Sequence, residues 1–269
     1  MYDDVLVATD GSEVATDAAL QGIDVARAVG ATVHVLSVAD DADRKRHEGY
    51  VEATATEATE AGLAVETAVR EGRPSRAILA YAEEADVDLL VLGTHGRTGI
   101  EQVLVGSVAL EVIRESSRPV LTVGGDVADL PRSIDDVLVA TDGWSGSEAA
   151  VEQALALAQA CTARLHAFYA VDVRSDAPEV YESFEEHGRR TTAAIAERAE
   201  ESGLEATQAV VRDEPGEGIL AYAEEADVDV IVLGTESKST LGRLVVGSVS
   251  QRVVPNATVP VMTVRTVEE

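Results

Sequence analysis

Short valine-rich runs alternate along this chain with stretches whose apolar residues recur three and four positions apart. Residues 4–8, 32–38, 64–69, 88–92 and 120–123 read as strands. Between the first two, Val14, Ala18, Ala19, Ile23 and Ala26 fall on one face of a helix. Strands that are apolar nearly throughout, rather than at every second position, belong to a parallel sheet covered on both faces. Strand and helix in strict alternation predict βαβ units with right-handed crossovers.

The pattern then repeats. Residues 78–88 read ILAYAEEADVD, and residues 219–229 read the same. The run Val5-Leu6-Val7-Ala8-Thr9-Asp10-Gly11 returns from Val137 to Gly143, and Val105-Gly106-Ser107-Val108 returns from Val246 to Val249. The second half lags by 132 residues at its start (Val5 to Val137) and by 141 near its end (Val105 to Val246). Nine extra residues are therefore expected after its second strand, around 173–184. The segment 124–133, with two glycines and Pro131, is the natural linker. Two tandem domains are predicted, 1–125 and 134–269, each of ordinary domain size.

Composition sharpens this picture. Only 3% of residues are aromatic although 46% are hydrophobic. The cores must be built from Val, Ala, Leu and Ile. The formal charge is −28, and Lys45 and Lys238 are the only lysines. Such a chain repels itself at low ionic strength. The charge reads as adaptation to a salt-rich cytoplasm, as in halophilic archaea. It argues against binding to nucleic acid or anionic membranes, which need basic surfaces. Cys161 is the single cysteine, which excludes an intrachain disulfide and a multi-cysteine zinc site. The chain opens Met1-Tyr2-Asp3-Asp4 and runs directly into a strand, without the pattern of a signal peptide. No apolar stretch approaches the roughly 20 residues of a membrane span, and a cytoplasmic location is expected.

The chemistry sits after the fourth strand. Gly93-Thr94-His95-Gly96 is followed by nine residues and then Gly106-Ser107. Gly93 ends a strand at the carboxyl edge, where open α/β sheets bind ligands. Gly96 permits a positive φ. Gly106 and Ser107 open a helix over 108–116, whose first N–H groups and dipole favour phosphate. Arg97 is a candidate for charge contact with that phosphate. His95 has no evident orienting partner for general-base work. Neither a Walker A loop nor a Gly-x-Gly-x-x-Gly fingerprint is present. Asp10, at the end of the first strand, is a ligand candidate, and Ser12 a helix cap. His34 and His166 hold equivalent positions in the two halves, which suits a structural place better than a metal site.

Together VLVATDGS at the first strand, GTHGRTG in the loop, the Gly72-Arg73-Pro74 turn and the closing GSVALEVIRESSRPVLTV resemble the ATP-binding branch of the universal stress protein A family. The resemblance covers both halves. It implies two tandem Rossmann-like α/β domains, each a five-stranded parallel sheet of order 3-2-1-4-5 flanked by helices. It implies ATP, or ADP or AMP in its place, at the carboxyl edge. Asp10 and Val38 would hold the nucleoside end. Gly93, Gly96, Gly106, Ser107 and Val108 would hold ribose and phosphates. A triphosphate usually brings Mg2+, but no metal-ligating cluster is assigned. The second half offers Asp142, Ala170, Gly234, Gly247, Ser248 and Val249. There Ser237 replaces the second glycine, Glu236 adds negative charge and Trp144 replaces Ser12. A weaker, altered or empty second site is expected. The resemblance further implies pairing of the last strands, 120–123 with 261–264, into a pseudo-dimer within one chain, with possible association of two chains into a homodimer.

Three functions stay open. One is a nucleotide-dependent switch or scaffold read by a protein partner that the sequence does not identify. Another is a slow ATPase or phosphoryl-handling enzyme. The third is a structural interaction protein with a vestigial pocket, above all in the second half.

The charge yields a direct expectation. Raising potassium chloride from about 0.1 M to about 1 M shortens the Debye length from about 10 Å to about 3 Å. The unfolding temperature should rise across that range; a flat or falling profile would contradict the reading of self-repulsion.

Overall fold

The computed structural model describes residues 2–94, 105–124, 133–172, 178–235 and 247–265. The chain divides into two units, 1–132 and 133–269. In the first, β1 (Asp4–Ala8), α1 (Glu13–Val29), β2 (Thr32–Val38), α2 (Arg44–Glu60), β3 (Val65–Arg70), α3 (Pro74–Glu84), β4 (Leu89–Gly93), α4 (Ser107–Glu115) and β5 (Val120–Val123) follow one another. A short 3-10 turn, Asp41–Asp43, precedes α2. The strands pair in parallel, in the order β3-β2-β1-β4-β5. Helix α1 packs against β1 and β4 and touches α2; α3 packs against α4.

The second unit repeats the scheme. It runs β6 (Asp136–Ala140), α5 (Ser145–Cys161), β7 (Arg164–Ala170), α6 (Pro178–Glu201), β8 (Ala206–Val211), α7 (Pro215–Glu225), β9 (Val230–Gly234), α8 (Ser248–Val253) and β10 (Val261–Val264). Its parallel order is β8-β7-β6-β9-β10. The predicted α/β class and strand order thus hold in both units. Helix α6 is 24 residues long against 17 for α2, so part of the nine-residue insertion lengthens this helix. Residues 173–177 and 125–132, the rest of the insertion and most of the linker, lie outside the described residues.

The central strands are apolar because both their faces are covered. Val5, Leu6, Val7, Val33, Val35, Leu89, Leu90 and Val91 are fully buried. The small residues Ala15, Ala18, Ala19, Gly22 and Ala26 on α1 are buried against them. Helix α1 begins where Ser12 accepts from the Ala15 N–H at 3.2 Å, and it ends at Gly30 in the left-handed region. Both ends follow ordinary capping chemistry.

Some boundaries differ by one residue from the sequence expectation. β4 starts at Leu89; the Asp88 before it accepts the backbone N–H groups of Asp3 and Asp4 on its carboxylate, at 2.7 and 3.1 Å. Asp229 does the same for Asp135 and Asp136. β4 also keeps Gly93 in its ladder, opposite Val123. β3 runs through Arg70, which pairs with Val38. Gly106 is the N-cap of α4 rather than part of it, so the helix begins at Ser107.

Each unit carries one buried imidazole near the amino edge of its sheet. His34 lies 2.8 Å from Asp4 Oδ1 and 3.1 Å from the Tyr81 hydroxyl. His166 lies 2.8 Å from Asp136 Oδ1 and 3.0 Å from the Tyr222 hydroxyl. A carboxylate can only accept, so in the neutral ring Nε2 donates to Asp and Nδ1 accepts from Tyr. The recurrence of His34 and His166 is therefore structural: each ties β1 or β6 to the helix that follows the third strand. Replacing either histidine by leucine leaves the Tyr81 or Tyr222 hydroxyl without this partner and takes one hydrogen bond from Asp4 or Asp136, the latter keeping Arg164 at 3.2 Å, at a cost of about 1–3 kcal/mol. His34→Leu and His166→Leu should each lower the urea midpoint of their own unit; an unchanged midpoint in both would contradict this role.

Candidate functional site

In the order β3-β2-β1-β4-β5 the chain turns one way after β1 and the other way after β4, which opens a crevice at their carboxyl ends. A cavity of about 260 Å³ lies there, just below the roughly 300–1,000 Å³ usual for small-molecule sites. Its inner wall is apolar. Ala8, Leu36 and Val38 come from β1 and β2, and Pro74 and Ile78 from α3. Thr9, Asp10, Gly93, Thr94 and the start of α4 from Gly106 to Ala109 complete it. Among these lining residues Asp10 is the only titratable side chain.

Backbone hydrogen bonds fix the polar rim. The Thr9 N–H donates to the Leu36 carbonyl at 2.9 Å. The Gly11 N–H donates to Thr9 Oγ1 at 3.2 Å, and the Ser12 N–H to Asp10 Oδ1 at 3.0 Å. Asp10 thus holds its own turn while it lines the cavity. Gly11 has φ of 74°, and a Cβ there would lie 2.4 Å from the Tyr50 ring. Positive φ and a covering aromatic ring both require glycine at this position. Gly93 is required by close approach: a Cβ would lie 2.9 Å from the Val14 side chain on α1.

The residues that the sequence pattern linked to phosphate meet at the start of α4. Thr94 donates to the Val123 carbonyl at 2.8 Å, and its own carbonyl accepts the Gly106 N–H at 2.6 Å. That pair sets where α4 begins relative to β4. Gly106 offers no side-chain cap, so the first-turn N–H groups from Ser107 onward have no acceptor within the helix. N–H groups of this kind can receive an anion, and no lysine is among the described lining residues. Behind them, Glu111 accepts from Ser75 at 2.7 Å and pairs with Arg73 at 2.6 Å. The Ser75 hydrogen bond, with Arg73 beside it, holds the Glu111 carboxyl below its usual range. This contact joins the N-terminus of α3 to the middle of α4.

Of the first-half candidates, Asp10, Val38, Gly93, Gly106, Ser107 and Val108 come together around one cavity. Gly96, Arg97 and His95 lie outside the described residues. Leu36, Pro74, Ile78, Ala15 and Thr94 also line the cavity, and sequence reasoning did not single them out as site residues. Ile78 opens the eleven-residue segment repeated in both halves, which was the available signal. Leu36 was hidden among equally apolar strand residues.

The second unit keeps the backbone frame. Thr141 donates to Phe168, Gly143 to Thr141 Oγ1, Trp144 to Asp142 Oδ1, and Gly247 to Thr235. Asp142, Ala170, Gly234, Gly247, Ser248 and Val249 therefore hold positions matching their first-unit counterparts. The side chains around them differ. Phe168 stands in place of Leu36, buried and 5.3 Å from the Tyr222 ring. Ser147 replaces Ala15 and contacts Thr141 Oγ1 at 2.7 Å. Ser250 replaces Ala109 and donates to the Gly234 carbonyl at 3.3 Å. The charges of the α3–α4 contact are exchanged, with Arg252 on α8 pairing with Glu217 on α7. Trp144 caps α5 with no side-chain cap bond to the helix, and α8 has six residues against nine in α4. Glu236 and Ser237 lie outside the described residues. Cys161, at the end of α5, is half-buried, and burial pushes its thiol up to about 11. No helix among the described residues is long and apolar enough to cross a membrane.

Comparison with known proteins agrees with this architecture. The model of the universal stress protein family matches residues 1–124 and 133–265. A universal stress protein of Methanocaldococcus jannaschii is 33% identical over 140 residues, covering 46% of this chain and 82% of that protein. One from Mycolicibacterium smegmatis is 30% identical over 210 residues, covering 76% of this chain and 70% of that protein. The crystal structure of a universal stress protein from Archaeoglobus fulgidus shares the fold, with a TM-score of 0.78 at 23% identity, over 98% of this chain and 99% of that one.

Proposed function

The chain belongs to the universal stress protein family, and we propose that its first unit binds an adenine nucleotide, ATP before ADP or AMP. The observation that carries this reading is the meeting of three features at one cavity: an apolar slot, a carboxylate and an uncapped helix start. The slot between β1, β2 and α3 suits a planar base. Asp10 is a hydrogen-bond acceptor for the nucleoside. The N–H groups of Ser107 and Val108 receive phosphate. Among the described lining residues Asp10 is the one titratable side chain, and binding is the part of the chemistry that this reading covers. Among the described residues no group of three His, Cys, Asp or Glu is placed to hold a metal. Magnesium, where it takes part, accompanies the triphosphate.

The second unit is read as a weakened or vestigial site. Phe168 at the base end and the short α8 at the phosphate end support this. Association of two chains into a homodimer belongs to the same proposal. The output of binding is a shift between conformations that a partner protein reads.

Calorimetric titration of nucleotide-free protein with ATP, in molar potassium chloride with magnesium, tests this. One site per chain is expected, and Gly106→Val, which crowds the phosphate position, should weaken it at least about tenfold, or 1.4 kcal/mol. No binding to folded protein would end the nucleotide reading. Two equal sites would end the asymmetry between the units.

A further inference from the structure

We propose that Ser37 and His47 are positioning residues for the nucleotide site of the first unit. Their exchange for Tyr169 and Gly188 sets the second unit apart. The inference rests on the nucleotide reading above and identifies what holds the base-side turn in place.

Both side chains are buried beneath the cavity rim. Ser37 Oγ lies 2.5 Å from the Thr9 carbonyl oxygen and 2.8 Å from His47 Nδ1. A serine hydroxyl has one hydrogen, and a carbonyl can only accept. Ser37 therefore donates to Thr9, and His47 Nδ1 must donate to Ser37. The neutral Nδ1–H ring and the imidazolium both satisfy this, so the tie survives protonation. The Thr9 N–H is already held by Leu36. Thr9 is thus fixed through both its peptide groups, and Asp10 departs from it in a set direction. One turn further along α2, Tyr50 lies against Gly11 and edge-on to His47, with centroids 5.3 Å apart. Helix α2 therefore grips the Thr9–Gly11 turn at two points, by a hydrogen-bond relay and by a ring.

The second unit fills the same space without the relay. Tyr169 stands in place of Ser37 and Gly188 in place of His47. The two changes belong together, because a Cβ on Gly188 would lie 2.6 Å from the Tyr169 ring. His187, one position earlier on α6, packs between Trp144 and Tyr169, with centroids 5.8 Å from each. It lies against Gly143, and its Nε2 is buried without a hydrogen-bond partner. The hydroxyl and imidazole that aim a carbonyl in the first unit have given way to aromatic packing. The turn bearing Asp142 is filled in, while the polar tie that directs Asp10 is missing from it.

The chain thus supplies its own fold-compatible control. In the full-length protein, Ser37→Tyr with His47→Gly installs the second unit's pair in the first. ATP affinity would be titrated for this double variant, for His47→Leu, and for His47→Asn, which keeps a donor near the Nδ1 position. Far-UV circular dichroism and the unfolding temperature would be recorded for each. The double variant should keep native dichroism and lose about tenfold in affinity, the worth of one hydrogen bond. His47→Leu should lose as much, and His47→Asn should stay within about threefold of wild type. Wild-type affinity in the double variant or in His47→Leu would overturn the inference. So would equal losses in His47→Asn and His47→Leu, which would reduce His47 to packing. If the double variant does not fold, the comparison of Leu with Asn decides alone. Failure of the wild type to bind ATP would overturn the nucleotide reading first, and this inference with it.

Discussion

The nucleotide site proposed for the first unit depends on where its parallel sheet changes direction. The sheet is built outward from β1, to β2 and β3 on one side and to β4 and β5 on the other. The connections after β1 and β4 therefore diverge, and the carboxyl ends of these two strands are left uncovered. A parallel sheet this apolar needs helices on both faces, and α1 and α3 wall the opening as they supply that cover. The cavity is a consequence of topology before any polar side chain enters it.

Within that opening, short-range bonds decide what kind of ligand fits. Thr94 links β4 to the beginning of α4, so the uncapped helix start is aimed rather than merely nearby. Thr9, held by Leu36 and Ser37, does the same for the turn that carries Asp10. A strongly negative protein has a particular difficulty in binding a polyanion, since its long-range field opposes approach. Backbone N–H groups at a helix start meet the difficulty locally, because they attract phosphate without adding side-chain charge. High salt lessens the opposing field further by screening it.

Much of the architecture was legible in the sequence because its signals are local or repeated. The recurring VLVATDG and ILAYAEEADVD segments fix the duplication. The valine-rich runs place the strands, and Gly93 with Gly106 and Ser107 marks the edge of the cavity. One-residue differences fall at strand ends, as at Asp88, whose carboxylate holds two N–H groups of the neighbouring strand's start. The contacts that separate the two units were not legible. Ser37 and His47 are 10 residues apart on different elements, and Tyr50 meets Gly11 only through the packing of α2. Nothing in local periodicity reports such pairs. In hindsight, aligning the halves does, since Ser37 with His47 becomes Tyr169 with Gly188, a coupled exchange of large for small and small for large.

The most direct test is a crystal structure of the full chain with ATP and magnesium. The account predicts the base in the slot between β1, β2 and α3, beside Asp10 and Val38, with phosphates on the N–H groups of Ser107 and Val108. Nucleotide bound elsewhere in the first unit, or in the second unit alone, would contradict it.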